Sequence, residues 1–225
     1  MSIALNAPAW TLASEQRDFV EWRKGRANFA VWALDLSTPA LTAASENFRR
    51  HMGDTFLADY VRQPHLTLQI AGFPAKSRQF PDDYPTEEFH QQVEQLRALD
   101  LPPFAIEIGE VGSFTSAAYF SVKDHSGSLS KIRQALGAVE FDDFQYLPHL
   151  TFGLYRDQRP MAEVMRQMNA APAFSPLTLE IGKISLMTYQ AAVIGGLLTS
   201  QFEIKLNSAP GTQGRNFATS ARCFD

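Results

Sequence analysis

A chain of 225 residues, 45% hydrophobic and 20% charged, has a globular composition, and seventeen Phe supply apolar mass for a core without a disulfide or a structural metal. The formal net charge of −4 argues against an extended nucleic-acid-binding surface, yet a few local cations would suffice for a small anionic ligand. The single cysteine, Cys223, cannot close an internal disulfide, the first ten residues lack a basic signal-peptide start, and no apolar run is long enough for a membrane span. A cytoplasmic protein with no membrane partner is therefore expected.

In chain order, residues 1–27 read as a polar N-terminal extension in which residues 14–26 form a short amphipathic helix carrying Phe19 and Trp22. Residues 28–36 read as a buried strand with Phe29, Val31, Trp32 and Leu34. Ser37, Thr38 and Pro39 are a helix start, and the helix is expected to run to about Met52 and stop at Gly53. Pro64 precedes a strand over residues 65–71, and loop residues follow to Pro85. A second helix is expected from Thr86, with Phe89, Val93 and Leu96 at helical spacing.

Beyond Pro102-Pro103, residues 104–111 and 117–122 read as strands, and Ser126-Gly127-Ser128 leads into a helix bearing Leu129, Ile132 and Leu136. Residues 147–155 form the next strand and 161–170 the next helix. Residues 177–189 and 197–206 read as strands with Gly195-Gly196 between them, and residues 207–225 as a flexible tail. The second half reprises the first, which predicts one α+β domain of two similar lobes over residues 28–206.

The repeat is visible in the residues: Pro64-His65-Leu66-Thr67-Leu68 returns 84 residues later as Pro148-His149-Leu150-Thr151-Phe152. Side chains alternate faces along a strand. His65, Thr67 and Gln69 are thus expected on one face, and His149, Thr151, Gly153 and Tyr155 on the corresponding face of the second copy. If the lobes meet about a pseudo-twofold axis, one groove receives two imidazoles and two hydroxyls. That set suits phosphodiester cleavage without a metal. A neutral imidazole accepts a proton from the attacking oxygen, an imidazolium returns one to the departing oxygen, and the hydroxyls donate to the non-bridging phosphate oxygens.

The paired motifs, their spacing, the lobed order and the chain length resemble the 2H phosphoesterase superfamily, with the greatest likeness to bacterial RNA 2′,3′-cyclic phosphodiesterases, also called 2′-5′ RNA ligases. The resemblance covers about residues 28–206 in layout. It implies two antiparallel sheets around a central cleft with outer helices. It also implies His65 and His149 as the catalytic pair and Thr67 and Thr151 as phosphate ligands. Bacterial RNA-processing members often carry an arginine soon after the second motif. Here Arg156 lies further along and would point away from His149 on a regular strand, so Tyr155 and Gln69 are the candidate additional substrate contacts.

His51, His90 and His125 have no matching partners and no metal-ligand spacing, so no metal site and no cofactor are expected. Asp82-Asp83 and Asp142-Asp143 read as solvated loop acids, and no Gly-rich phosphate loop is present. Phe114 and Tyr119 offer stacking surface or core packing. The leading expectation is a hydrolase of a 2′,3′-cyclic phosphate on an RNA end or small nucleotide, with RNA joining as the reverse reaction. The alternatives are a phosphodiesterase on 2′-5′ oligonucleotides or other cyclic nucleotides, and a nucleotide-binding module without turnover.

Overall fold

The computed structural model describes residues 9–138 and 146–207. Asp142-Asp143, the tail from residue 208 and Cys223 lie outside the described residues. The first half comprises α1 (Val20–Arg23), β1 (Asn28–Asp35), α2 (Pro39–Met52), β2 (His65–Ala75), β3 (Asp83–Pro85) and α3 (Thr86–Ala98). The second comprises β4 (Phe104–Ser113), β5 (Ala117–Lys123), α4 (Ser128–Ala135), β6 (His149–Leu154), α5 (Met161–Asn169), β7 (Leu177–Ile181), β8 (Lys183–Gln190) and β9 (Thr199–Lys205).

Two sheets result, a five-stranded one in the order β3-β2-β1-β8-β9 and a four-stranded one in the order β6-β5-β4-β7. Every pairing is antiparallel except β2 with β3. The two orders are equivalent, β2-β1-β8-β9 matching β6-β5-β4-β7, so β1-α2-β2 and β5-α4-β6 are the two copies of the repeat. The expected α+β fold with two sheets is therefore present. Its last strands cross over: β8 leaves the second half of the chain to pair with β1.

The helix of each copy packs across the junction. α2 lies on β6 and α4 lies on β2. Leu41, Phe48 and Met52 are buried on α2, and Phe48 meets the rings of Phe120 and Phe152 from the other half at 5.3 and 5.2 Å. Leu129 and Ile132 are buried on α4. A single apolar cluster consequently runs from Ala30 to Ile204 through both sheets, which ties the lobes together by shared burial.

Some local expectations change. The N-terminal helix is one turn, Val20–Arg23, whose Trp22 packs on Phe29 and Phe73. Residues 10–14 run along the other lobe, where the Leu12 amide donates to the Thr115 carbonyl and the Ser14 amide to that of Tyr155. The span 177–189 is broken at Gly182 into β7 and β8, which join different sheets. Asp82 and Asp83 are not solvated loop acids. Both accept from the Arg26 guanidinium, at 2.7 and 2.6 Å, and Asp83 is buried with its other oxygen capping the amides of Gln79 and Phe80. No helix among the described residues is long and apolar enough to cross a membrane.

Candidate active site

β2 and β6 adjoin where the two sheets meet, and each opens with its motif histidine behind a proline. The local geometry is the same in both. Nδ1–H of His65 donates to the Gln63 carbonyl at 2.9 Å, and Nδ1–H of His149 to the Leu147 carbonyl at 2.7 Å, two residues back in each case. That bond fixes the ring and the tautomer, leaving Nε2 as the reactive nitrogen. Neither Nε2 nor the hydroxyls of Thr67 and Thr151 have a protein partner among the described residues. Burial pulls the His65 pKa down to about 4. The Gln63 carbonyl opposes that shift, whereas the charges of Arg62 and His149 reinforce it. His149, less buried, is also held below the ordinary histidine value by desolvation.

Both strands depart from regular alternation at the same place. Leu34, Ala33 and Trp32 of β1 pair with Leu66, Thr67 and Gln69, so Leu68 is an extra residue in β2. Phe120, Tyr119 and Ala118 of β5 pair with Leu150, Thr151 and Gly153, so Phe152 is an extra residue in β6. Each motif thus carries a β-bulge three residues after its histidine. A bulge inserts one residue and reverses the face of everything beyond it.

The reversal corrects two expectations. Gln69 now lies opposite Trp32 and faces the α3 side, beside Gln92 and Leu136, and Ile70 takes the face of Thr67 and stands exposed. Tyr155 turns into the core. It is fully buried, its ring packs on Phe56, and its hydroxyl hydrogen-bonds Ser113 at 2.5 Å, so it has no surface to offer a substrate. Gly153 likewise turns inward, where a Cβ would meet the Phe56 ring at 2.7 Å. Arg156 is ion-paired with Asp54 and Asp157.

The bulges also anchor a reciprocal set of contacts that motif reading missed. The Arg49 guanidinium of α2 donates to the Phe152 carbonyl at 3.3 Å, and the Arg133 guanidinium of α4 to the Leu68 carbonyl at 2.5 Å. The Tyr60 hydroxyl donates to the Thr151 carbonyl at 3.3 Å and the Tyr146 hydroxyl to the Thr67 carbonyl at 2.7 Å. Each arginine also lies over the tyrosine that grips the same strand, at 5.9 Å for Arg49 on Tyr60 and 3.6 Å for Arg133 on Tyr146. Burial pushes the Tyr60 phenol up to about 12, which keeps it a donor. Each motif strand is therefore held at two successive carbonyls by the opposite lobe. A sequence signal for the arginines existed: 84 residues separate Arg49 from Arg133, as they separate the two histidines.

The surroundings then diverge. Phe114 and Tyr119 stack at 4.4 Å and present their rings to His149 at 4.8 and 5.6 Å; Tyr119 lies over Gly112, where a Cβ would collide with its ring at 2.6 Å. His65 instead has Asp35 opposite it on β1 and Arg62 three residues before it. His51 bonds the Gln167 carbonyl through Nε2 at 2.8 Å, linking α2 to α5, and His125 is exposed near Glu107. Among the described residues no three His, Cys, Asp or Glu side chains converge to hold a metal ion.

Known proteins share this layout. The sequence model of the 2′-5′ RNA ligase superfamily matches residues 38–192, a span that holds both motifs. No curated protein matches significantly. Among solved structures, E. coli LigT complexed with 3′-AMP is similar with a TM-score of 0.54 and 15% identity, over 81% of this chain and 99% of LigT. The TT0787 protein of Thermus thermophilus is similar with a TM-score of 0.52 and 16% identity, over 81% of this chain and 100% of that one. At such identities the likeness is one of fold.

Proposed function

The chain belongs to the 2′-5′ RNA ligase superfamily, and from that premise we propose that it is a metal-independent phosphodiesterase that opens a 2′,3′-cyclic phosphate at an RNA end or on a small nucleotide with water, and that reversibly forms a 2′-5′ linkage when a 5′-hydroxyl attacks in place of water. Family membership supports a phosphoesterase-type enzyme, and E. coli LigT, which shares the fold, has been crystallised with 3′-AMP. The observation that carries the finer reading is the matched pair of imidazoles. Each has Nδ1 tied to a carbonyl and Nε2 free, on adjoining strands related by the internal repeat.

In this reading the phosphate sits between the imidazoles, with its non-bridging oxygens accepting from the hydroxyls of Thr67 and Thr151. His65 is held further into its neutral form, which fits it to take a proton from the attacking water. The more exposed His149 brings in the proton for the departing oxygen. Water adds to phosphorus, one bond from phosphorus to a ribose oxygen breaks, and that oxygen leaves as a hydroxyl. Phe114 and Tyr119 beside His149 supply a stacking surface for the base.

The test is incubation, with chelator present, against cyclic nucleotides, RNA ends bearing cyclic phosphate and 2′-5′-linked dinucleotides. Opening of the 2′,3′-cyclic phosphates is expected. Turnover that requires an added divalent cation, or that is confined to the 2′-5′ linkage, overturns the reading.

A further inference from the structure

The chain before His65 is pinned in place over residues 61–63. The Val61 amide donates to the Gly195 carbonyl at 3.1 Å and Arg62 Nε to the Gly196 carbonyl at 2.9 Å. The Gln63 carboxamide then brackets Leu198, donating to its carbonyl at 2.7 Å and accepting from its amide at 2.9 Å. The segment 61–63 and the loop 195–198 thus form one fixed wall beside the motif. From that wall the Arg62 guanidinium lies over the Tyr189 ring, its Cζ 4.1 Å from the ring centre.

Arg62 is half-buried and makes no ion pair with any described carboxylate. Its charge acts on Tyr60, His65 and Tyr189 together, so it stands among them. A guanidinium that is pre-oriented by its place over Tyr189, by a hydrogen bond with that phenol and by its bond to the Gly196 carbonyl, with its charge uncompensated by any described carboxylate, is prepared for an anion such as phosphate.

Beside it, on the same sheet, opens a cavity of about 370 Å³, within the size range of small-ligand pockets. Its apolar walls are Val61, Val193 and Leu197, all exposed, together with Tyr189, and Gln190 and Gln201 are among its polar lining residues. Apolar and aromatic faces seat a nucleobase and carboxamides read its edges.

We propose that Arg62 and this cavity form a subsite for the nucleotide immediately 5′ of the cyclic phosphate. Arg62 receives the linking phosphate, one backbone step from the reacting one, and the preceding nucleoside enters the cavity. The substrate class is then a short RNA end, at least a dinucleotide, in preference to a free cyclic nucleotide. This rests on the phosphodiesterase reading above and narrows it.

The experiment compares binding of cytidine 3′-monophosphate with that of the dinucleotide ApCp, each ending in an open phosphomonoester, so that no turnover is needed. The wild-type protein should bind ApCp at least tenfold more tightly. R62Q should reduce that ratio to within about threefold, whatever it does to the mononucleotide. Salt titration of the wild type alone gives a second reading should R62Q fold poorly. The log–log slope should be steeper for ApCp than for the mononucleotide, because salt screens the added contact between Arg62 and the linking phosphate. Equal affinity for the two ligands, a ratio that survives R62Q, or equal salt slopes would overturn the subsite. Failure of the phosphodiesterase reading would show differently, as a binding preference intact in a protein that opens no cyclic phosphate.

Discussion

The two motif strands are near-copies in sequence and in local geometry, but their neighbourhoods differ in kind. His149 is partly exposed and faces two aromatic rings, Phe114 and Tyr119. His65 is nearly buried, with Arg62 and Asp35 as its charged neighbours and the Tyr189 wall nearby. The internal repeat thus supplied twofold placement of four side chains, and divergence around them gave the two copies different surroundings. In the proposed reading one side takes a stacked base and the proton-carrying histidine, and the other takes the neutral histidine and a second anion.

Replacing the histidines breaks that comparison most severely. His65→Ala and His149→Ala should each lower kcat/KM by on the order of a hundredfold or more, and the double variant should lose less than the product of the two. The sides can then be told apart with a substrate whose leaving group needs no proton and which has no 2′-hydroxyl to attack in place of water, such as a 2′-deoxynucleoside 3′-(4-nitrophenyl) phosphate. It should restore much of the rate to His149→Ala and little to His65→Ala. Equal restoration in both would reverse or erase the assigned roles.

Acid titration sharpens the contrast next. An unfolded histidine binds its proton near pH 6.5, whereas folded His65 resists it down to about 4. The unfolded chain therefore binds more protons in that window, and stability falls as pH falls through it, by about 3 kcal/mol from this group. Chemical denaturation at pH 7 and pH 4.5 measures the drop, which His65→Gln should reduce. His149→Gln should change it less. With both imidazoles below their ordinary value in the free enzyme, the bell of kcat/KM should peak on the acid side of pH 6.5.

The residue after each bulge gives a third contrast. Gly153→Ala drives a Cβ into the Phe56 ring and should cost about 1–3 kcal/mol in stability. Gln69→Ala, at the equivalent point of β2, should change stability by under about 0.5 kcal/mol, as for a surface polar residue. A fourth concerns the reciprocal latches. Tyr60→Phe and Tyr146→Phe each remove one hydroxyl bond to a motif strand and should cost about 1 kcal/mol in thermal or chemical denaturation.

Much of this was legible in the chain. Apolar periodicity placed the strands and the longer helices, and the recurrence of Pro-His-Leu-Thr at 84 residues announced two lobes and four candidate groups. Those readings succeed because side-chain alternation and helix caps are local, set by a few neighbouring residues. The bulges at Leu68 and Phe152 were not legible, since an extra residue is defined by the strand across from it, and no local pattern marks it. From that one feature followed the misplacement of Gln69 and Tyr155. The placing of Arg62 over Tyr189 depends on a loop more than a hundred residues distant, and the grip of Arg49 and Arg133 on each other's lobes depends on helices crossing the junction. Sequence by itself singled out the groups proposed to do the chemistry. Only the tertiary structure decided which of them face the cleft, because facing is a relation between segments that meet only when the chain folds.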